Sequence, residues 1–391
     1  MSKLNNDLLY FAPCGMHDGI GGGGRLKNMI DIFKDLELNV QLISYSPGDY
    51  FKIKNEQINP FLKSTTINVP MGLPKLLKAF IIPLIILHGL NYISRSRIVF
   101  ALTPSVASGF PATVLAKIFN KPLFVDHMDV RDPETPEFLY NNTLKNSTLT
   151  LVISHFLENE VKNKFQGNTF YLPIFIDTDV FQKNGNDRRK VREKLGIKES
   201  EIVIGYAGSF WYVEGVPVLL ESFRNLVKKH KNIRLILLGS GRAPNLDTIS
   251  ISEDETELNE KVIFIPPQPY EQVPKFLSAC DIVCSPKVDC EVNRAANPIK
   301  TYEYMSMGLI TVISSVGEVA NVIKNGVNGF LVNPGDEKDL ENTLDFIIQN
   351  MGSMGEIGRQ ARKDVIKNYS QRAALKKMEN IFQQDFINSI S

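Results

Sequence analysis

Hydrophobic positions along this chain come in short solid runs, separated by longer stretches in which apolar residues recur every three or four positions. Short apolar runs bounded by turn signals predict strands buried on both faces, and the three-to-four spacing predicts amphipathic helices. In the first half the runs fall at residues 8–11, 40–44, 98–102, 123–125 and 149–153, with helical spacing at 25–36, 107–119 and 156–165. The pattern breaks around 173–178, and a charged, asparagine-rich stretch, NGNDRRK, follows; a hinge between domains is expected there. The alternation restarts with runs at 202–207, 233–238, 262–265, 282–284, 310–313 and 330–332, and helices at 216–229, 274–279 and 299–307. From Glu337 the chain is predicted helical almost to its end. Repeated strand–helix–strand units imply right-handed crossovers and parallel sheets. The expectation is an α/β protein of two doubly wound domains, 1–174 and 175–370, with a terminal helix at 371–391 packing back onto the first. In such sheets ligands lie beyond the carboxyl ends of the strands, and two facing domains would put both sets of ends on one cleft.

Length supports two domains, since 391 residues exceed what one hydrophobic core usually serves. A composition of 43% hydrophobic and 22% charged residues fits a soluble globular protein. The net charge of +1, from 44 basic and 43 acidic side chains, argues against nucleic acid as a partner, so any anion site must be local. The four cysteines, Cys14, Cys280, Cys284 and Cys290, are too few for a disulfide scaffold and have no second Cys/His group at zinc-finger spacing. Buried free thiols in a reducing cytoplasm are expected. The opening MSKLNNDLLYF lacks the apolar region of a signal peptide. The uncharged stretch 79–93, AFIIPLIILHGLNYI, is shorter than the roughly 20 residues a bilayer span needs. Lys75, Lys78, Arg95 and Arg97 flank it. Two readings stand: a buried core helix, or an interfacial helix whose basic ends meet anionic lipid.

Two segments offer binding chemistry. Gly19-Ile20-Gly21-Gly22-Gly23-Gly24-Arg25 follows the first strand and opens the first helix. Glycines let the backbone approach an anion, and a helix start presents free N–H groups, so an anion site competes with a plain flexible turn. The spacing departs from the dinucleotide fingerprint, and no acidic residue closes the second strand to hold a ribose, which argues against a nicotinamide-dependent oxidoreductase. Further on, Asn297-Pro298-Ile299-Lys300-Thr301-Tyr302-Glu303 places Lys300 and Glu303 three apart on one helical face, with Arg294 just upstream. These supply cations for a diphosphate and a carboxylate for sugar hydroxyls; the plainer reading is a surface ion pair. Asp177-Thr178-Asp179 has the form of a metal-binding Asp-x-Asp, but its place in the expected hinge argues against that use.

Together these blocks resemble the family-4 retaining glycosyltransferases of the GT-B fold, glycosyl transferases group 1. The resemblance rests on the Pro-x-Lys-x-x-Glu-Tyr-Met-x-x-Gly segment from Pro298 to Gly308, then Ser314-Ser315-Val316-Gly317-Glu318, and Gly326-Val327-Asn328-Gly329-Phe330 with Pro334-Gly335-Asp336. Upstream, Leu172-Pro173-Ile174-Phe175-Ile176-Asp177-Thr178 is similar to the interdomain signature, and Tyr206-Ala207-Gly208-Ser209-Phe210 with Gly215-Val216 to the start of the second domain. The blocks keep the family's order over nearly the whole chain. The resemblance implies two Rossmann-like domains, acceptor on the first and nucleotide sugar on the second. It implies a UDP- or GDP-linked sugar as co-substrate, with no other cofactor and no metal. The donor would be held by Gly21, Gly22, Gly23, Gly208, Ser209, Asn297, Glu303, Gly317 and Glu318, with Lys300, Arg294 and His127 as catalytic residues. His127, in Phe124-Val125-Asp126-His127-Met128-Asp129, has two readings: facing the transferring sugar, or satisfied by Asp126 or Asp129. Three positions depart from the family: Ala295 where a first Glu often stands, Ser209 for a frequent Arg, and Glu214 for a frequent Lys. The expected function is transfer of a sugar to a hydroxyl of a glycan or lipid-linked acceptor in glycan or cell-surface polysaccharide biosynthesis. The expected location is the cytoplasm, peripheral on the inner face of the cell membrane. The alternative is a catalytically silent sugar-nucleotide binder, which Ala295 and Ser209 support.

Overall fold

The computed structural model describes residues 7–14, 23–48, 52–70, 81–131, 135–240, 251–252 and 254–382. The chain divides into two compact units, Met1–Pro173 with Ala374–Ser391, and Ile174–Ala373.

The first unit is built on β1 (Leu8–Ala12), β2 (Val40–Pro47), β3 (Ile53–Asn59), β4 (Leu62–Val69), β5 (Ile98–Thr103), β6 (Leu123–His127), β7 (Leu149–Val152) and β8 (Thr169–Tyr171). They form one sheet in the order β3-β4-β2-β1-β5-β6-β7-β8, and every pair is parallel except β3 with β4. All of β1, LLYFA, and all of β5, IVFALT, are buried, as strands covered on both faces must be. From β1 the chain builds outward through β2, then crosses to β5 on β1's other side, so the strand order reverses between β1 and β5. Such a switch point leaves a crevice at the carboxyl ends. The hydrophobic pattern did not predict β3, β4 or β8. β3, IKNEQIN, is an edge strand with mostly exposed side chains, held by its ladder to β4, and such edges need no apolar run.

The apolar stretch forms the helix Ile81–Ile93, with residues 79 and 80 outside the described set. Ile81, Ile85, Gly89 and Ile93 face the core, while Leu87 and Leu90 remain 57% and 41% exposed. No helix among the described residues is long and apolar enough to cross a membrane. The last described helix, Gln371–Phe382, ends in the first unit, where the Phe382 ring lies 6.1 Å from Phe33 and 6.2 Å from Phe124 between centroids.

The second unit carries β9 (Ile202–Ser209), β10 (Ile233–Ser240), β11 (Val262–Ile265), β12 (Ile282–Ser285), β13 (Ile310–Ser314) and β14 (Phe330–Val332), all parallel, in the order β11-β10-β9-β12-β13-β14. Helix Val216–Lys229 follows β9 and buries Val216, Leu219, Leu220, Phe223, Leu226 and Val227, the stripe that a three-to-four spacing projects onto one face. Here too the order reverses, between β9 and β12, and the loops leaving those two strands carry the charged residues described next.

Candidate active site

β9 ends in Gly208-Ser209, and the turn after it carries Trp211, Tyr212 and Glu214 up to Gly215. β12 ends at Ser285, and Pro286-Lys287 follow. Gly215 has φ +68°, and a Cβ there would sit inside the Pro286 carbonyl, so only glycine lets these two loops touch. Glu214 is thereby brought to Lys287, whose Nζ donates to its Oε1 at 2.8 Å. The other oxygen, Oε2, accepts from Lys300 Nζ at 2.6 Å. Lys300 comes from a third element, helix Ile299–Ser306, and its ammonium also donates to the Tyr206 hydroxyl at 2.9 Å. Tyr304 of the same helix locks onto β9, accepting from the Ala207 amide at 2.8 Å and donating to its carbonyl at 3.2 Å. Gly208, at φ +151°, gives Lys300 its room, since a Cβ would come 2.7 Å from that ammonium.

Electrostatics follow from this crowding. Burial pushes the Glu214 carboxyl up, but Lys300 and Lys287 outweigh it and hold the group down at about 2. Burial lowers the Lys287 ammonium, against the pull of Glu214. Lys287 Nζ also donates to Asn293 Oδ1 at 3.0 Å, and Asn293 is itself fixed by donating to the Val213 and Val288 carbonyls, both at 2.8 Å. Trp211 and Tyr212 project from the same turn, 45% and 64% exposed, with ring centroids 5.2 Å apart. The Trp211 amide donates to the Ser209 hydroxyl at 3.2 Å.

Lys300 and Glu303 share one helical turn as the spacing predicts, yet they do not pair with each other among the described residues. Glu303 is buried, accepts from the Tyr270 hydroxyl at 2.7 Å, and is pushed up to about 7 by that burial, with the hydrogen bond and Lys300 opposing. Asn297 Oδ1, just ahead of the helix, accepts from the Tyr302 hydroxyl at 2.6 Å. Gly317 has φ +73°, and a Cβ there would run into the Asn293 and Ala296 carbonyls, while the buried Glu318 donates its amide to the Ala296 carbonyl at 3.1 Å. The turn 314–318 is thus sewn to the segment carrying Arg294 and Lys300. Arg294 itself is not drawn in. It sits 58% exposed on helix Glu291–Ala295 with its guanidinium on Asp289 at 2.6 and 2.9 Å.

In the first unit, Gly21 and Gly22 lie outside the described residues, and Gly23 begins helix Gly23–Asp35. Arg25, in the first turn of that helix, is buried. It donates to both oxygens of Asp126 at 3.1 Å, and to the Pro173 and Leu172 carbonyls at 3.0 and 3.3 Å. His127 is the last residue of β6 rather than part of the loop beyond it, and it is fully buried. Its Nδ1 lies 3.2 Å from the Thr103 hydroxyl and its Nε2 3.1 Å from the Tyr140 hydroxyl, with Glu160 at 3.9 Å. His127 holds the Glu160 carboxyl down at about 2, with Lys164 in support and burial opposing. These partners are neither Asp126 nor Asp129. Asp177 uses Oδ1 to accept from the Asp179 and Val180 amides at 2.9 and 3.2 Å, closing a turn.

Sequence reasoning gave no role to Lys287, Tyr206 or Tyr270. Lys287 carries no motif; its one signal is its place just beyond a strand's carboxyl end. Tyr206 and Tyr270 become visible only when the fold sets their hydroxyls against Lys300 and Glu303.

Residues 187–364, which hold the whole β9–β14 sheet, match the family model for glycosyl transferases group 1. The match covers a little under half of the chain, and it is the second unit that it assigns to that family. An uncharacterised glycosyltransferase of Methanocaldococcus jannaschii is 27% identical over 195 residues, 49% of this chain and 47% of the relative. D-inositol 3-phosphate glycosyltransferase of a Mycobacterium strain, KMS, is 26% identical over 44% of this chain and 38% of its own length. N-acetyl-alpha-D-glucosaminyl L-malate synthase of Bacillus anthracis is 22% identical over 61% and 60%. The match thus spans about half the length of these relatives, from 38% to 60%. Among solved structures, Anabaena HepE in complex with UDP superposes with a TM-score of 0.72 at 17% identity, covering 96% of this chain and 98% of that one. Sucrose-phosphate synthase of Thermosynechococcus elongatus gives 0.78 at 17% identity, over 98% and 100%. The glycosyltransferases' two-domain GT-B fold, two parallel-sheet Rossmann-like units, is therefore the fold of this chain.

Proposed function

We propose that this chain transfers a glycosyl group from a UDP- or GDP-linked sugar to a hydroxyl of a glycan or lipid-linked acceptor, with retention at the anomeric carbon. The observation that carries the reading is the convergence of Lys287 and Lys300 on one carboxylate at the β9–β12 switch point, beside the buried acid Glu303. In this reading the nucleoside diphosphate occupies the second unit (174–373), with ribose hydroxyls donating to Glu303 and the diphosphate near Lys300, and the acceptor occupies the first. The acceptor oxygen bonds to the anomeric carbon as that carbon's bond to the diphosphate oxygen breaks. The acceptor proton passes to the departing diphosphate, so sugar, proton and charge all balance without a further reactant. Negative charge grows on the leaving oxygen, and a fixed ammonium such as Lys300 stabilises it more in the transition state than in the ground state. Gly208, Ser209, Asn297, Gly317 and Glu318 line or brace this region of the second unit. Arg294 would have to leave Asp289 to take part.

His127, with both ring nitrogens engaged internally, acts as a positioning residue in this reading. It fixes the end of β6, from which the loop bearing Asp129 departs. For location, we propose that the outward Leu87 and Leu90, with Arg95 nearby, rest on an anionic membrane surface; absence of sedimentation with anionic vesicles at low salt would remove that idea. The central test is a screen of UDP- and GDP-sugars for binding and for slow hydrolysis without acceptor. Turnover of one donor supports the enzyme; tight binding with neither hydrolysis nor transfer to any acceptor identifies a silent binder instead.

A further inference from the structure

Ser209 and Glu214 stand where the family resemblance leads one to expect an arginine and a lysine, so the turn after β9 lacks both of those cations. In their place, the Glu214 carboxylate holds one ammonium on each oxygen, Lys287 on Oε1 and Lys300 on Oε2. Lys287 arrives from a different strand, through the close approach that Gly215 permits. It is 7% exposed at the side chain, and Asn293 is its one other hydrogen-bond partner among the described residues. Desolvating an ammonium is costly, and here two are gathered around one carboxylate, which leaves local positive charge uncancelled. A carboxylate bridging two ammonium groups occupies a place that a phosphate could take, since both present anionic oxygens that accept from ammonium N–H groups.

We propose that Lys287 and Lys300 form a paired-ammonium subsite for the diphosphate of a nucleoside diphosphate, with Glu214 as its resident counter-anion. Lys287 replaces the cations absent at 209 and 214. Glu214 keeps the two lysines gathered while the subsite is empty and gives up part of its hold when diphosphate enters. The inference rests on the nucleotide-sugar reading above and adds to it a residue and a competition: the subsite's affinity is set by a carboxylate that the ligand must outbid.

Calorimetry on the full chain tests this, comparing uridine with UDP and guanosine with GDP. In wild type the diphosphate binds more tightly than its nucleoside. Lys287→Met shrinks that difference tenfold or more and leaves nucleoside affinity within about twofold, and Lys287→Arg restores part of it. Glu214→Gln enlarges the difference several-fold, because the competitor is gone. Equal loss of nucleoside and diphosphate affinity in Lys287→Met would make Lys287 a structural brace, and an unchanged difference would make it a bystander; either overturns the proposal. Should Lys287→Met fail to fold, Glu214→Gln decides alone: unchanged or weakened diphosphate binding overturns it. Wild-type protein that binds neither diphosphate overturns the nucleotide-sugar reading, and this inference with it.

Discussion

At the carboxyl end of β6, Arg25 spends its guanidinium on both oxygens of Asp126 and on the carbonyls of Leu172 and Pro173. At the carboxyl ends of β9 and β12, two ammonium groups share the single carboxylate of Glu214. The scaffolds are alike, parallel sheets with a reversal of strand order, and both clusters are largely withdrawn from water. What differs is the balance. Among the described residues, the first cluster sets Arg25 on Asp126 and on two backbone carbonyls, tying the start of the first helix to the end of β6 and to residues 172–173, and so braces the fold. The second sets two ammonium groups on one carboxylate, with Glu303 nearby held toward its acid form, so an arriving anion would find cations to meet.

Substitutions can break that contrast. The largest effect is expected in the first unit: Asp126→Ala strands a buried guanidinium and should cost about 3–5 kcal/mol of stability, read by denaturant unfolding. Donor affinity of the protein that remains folded should be unchanged; a selective loss of affinity would mean the brace is a binding group after all. Next comes Lys300→Ala. It should keep its fold and lose on the order of a hundredfold in kcat/KM, with Lys300→Arg rescuing poorly. Arg294→Ala, at an exposed position, should lose far less, and equal losses would show that Arg294 swings in.

A third experiment uses pH. The folded state raises Glu303 from 4.5 to about 7, which favours its acid form. Its contribution to stability is therefore complete below pH 4.5 and lost as pH rises through about 7, on the order of 3 kcal/mol. Glu303→Gln should remove this part of the pH dependence. If ribose hydroxyls donate to the carboxylate, wild-type donor affinity should instead rise across the same interval, and a flat profile would take Glu303 out of the ribose site. The smallest effect is expected for His127→Ala, which leaves the Tyr140 hydroxyl buried without its ring partner at a cost of about 1–3 kcal/mol. As a positioning residue, His127 should also lower kcat more than it raises KM; unchanged kcat in folded protein would confine it to the core.

The strands of the second unit were legible almost to the residue, because each centres on an apolar run, buried throughout in β12 and β13 and partly exposed in the edge strand β11, where Phe264 is 48% exposed. The same reasoning misses β3 and β4, whose pairing uses backbone groups and polar side chains such as the Thr65 hydroxyl donating to Asn55 at 2.8 Å. At the site, spacing sets Lys300 and Glu303 on one helical turn, and helix Ile299–Ser306 does so. Their partners were not readable. Glu214 lies 86 positions from Lys300, and Tyr270 lies 33 from Glu303, so only the folded sheet reveals those contacts. Glu214 was legible as a missing cation but not as the anion that collects two others. Arg25 shows the opposite limit: it closes a glycine-rich run suited to an anion, yet its guanidinium is committed within its own unit.

Trp211 is the chain's single tryptophan, and it sits on the turn between Ser209 and Glu214, half exposed against Tyr212. Indole emission excited beyond the tyrosine band therefore has one source, and that source rides on the loop that would meet a diphosphate. The protein carries its own optical probe at the place of interest. A stopped-flow trace of that emission would follow the turn itself, without a label and without contribution from the rest of either sheet.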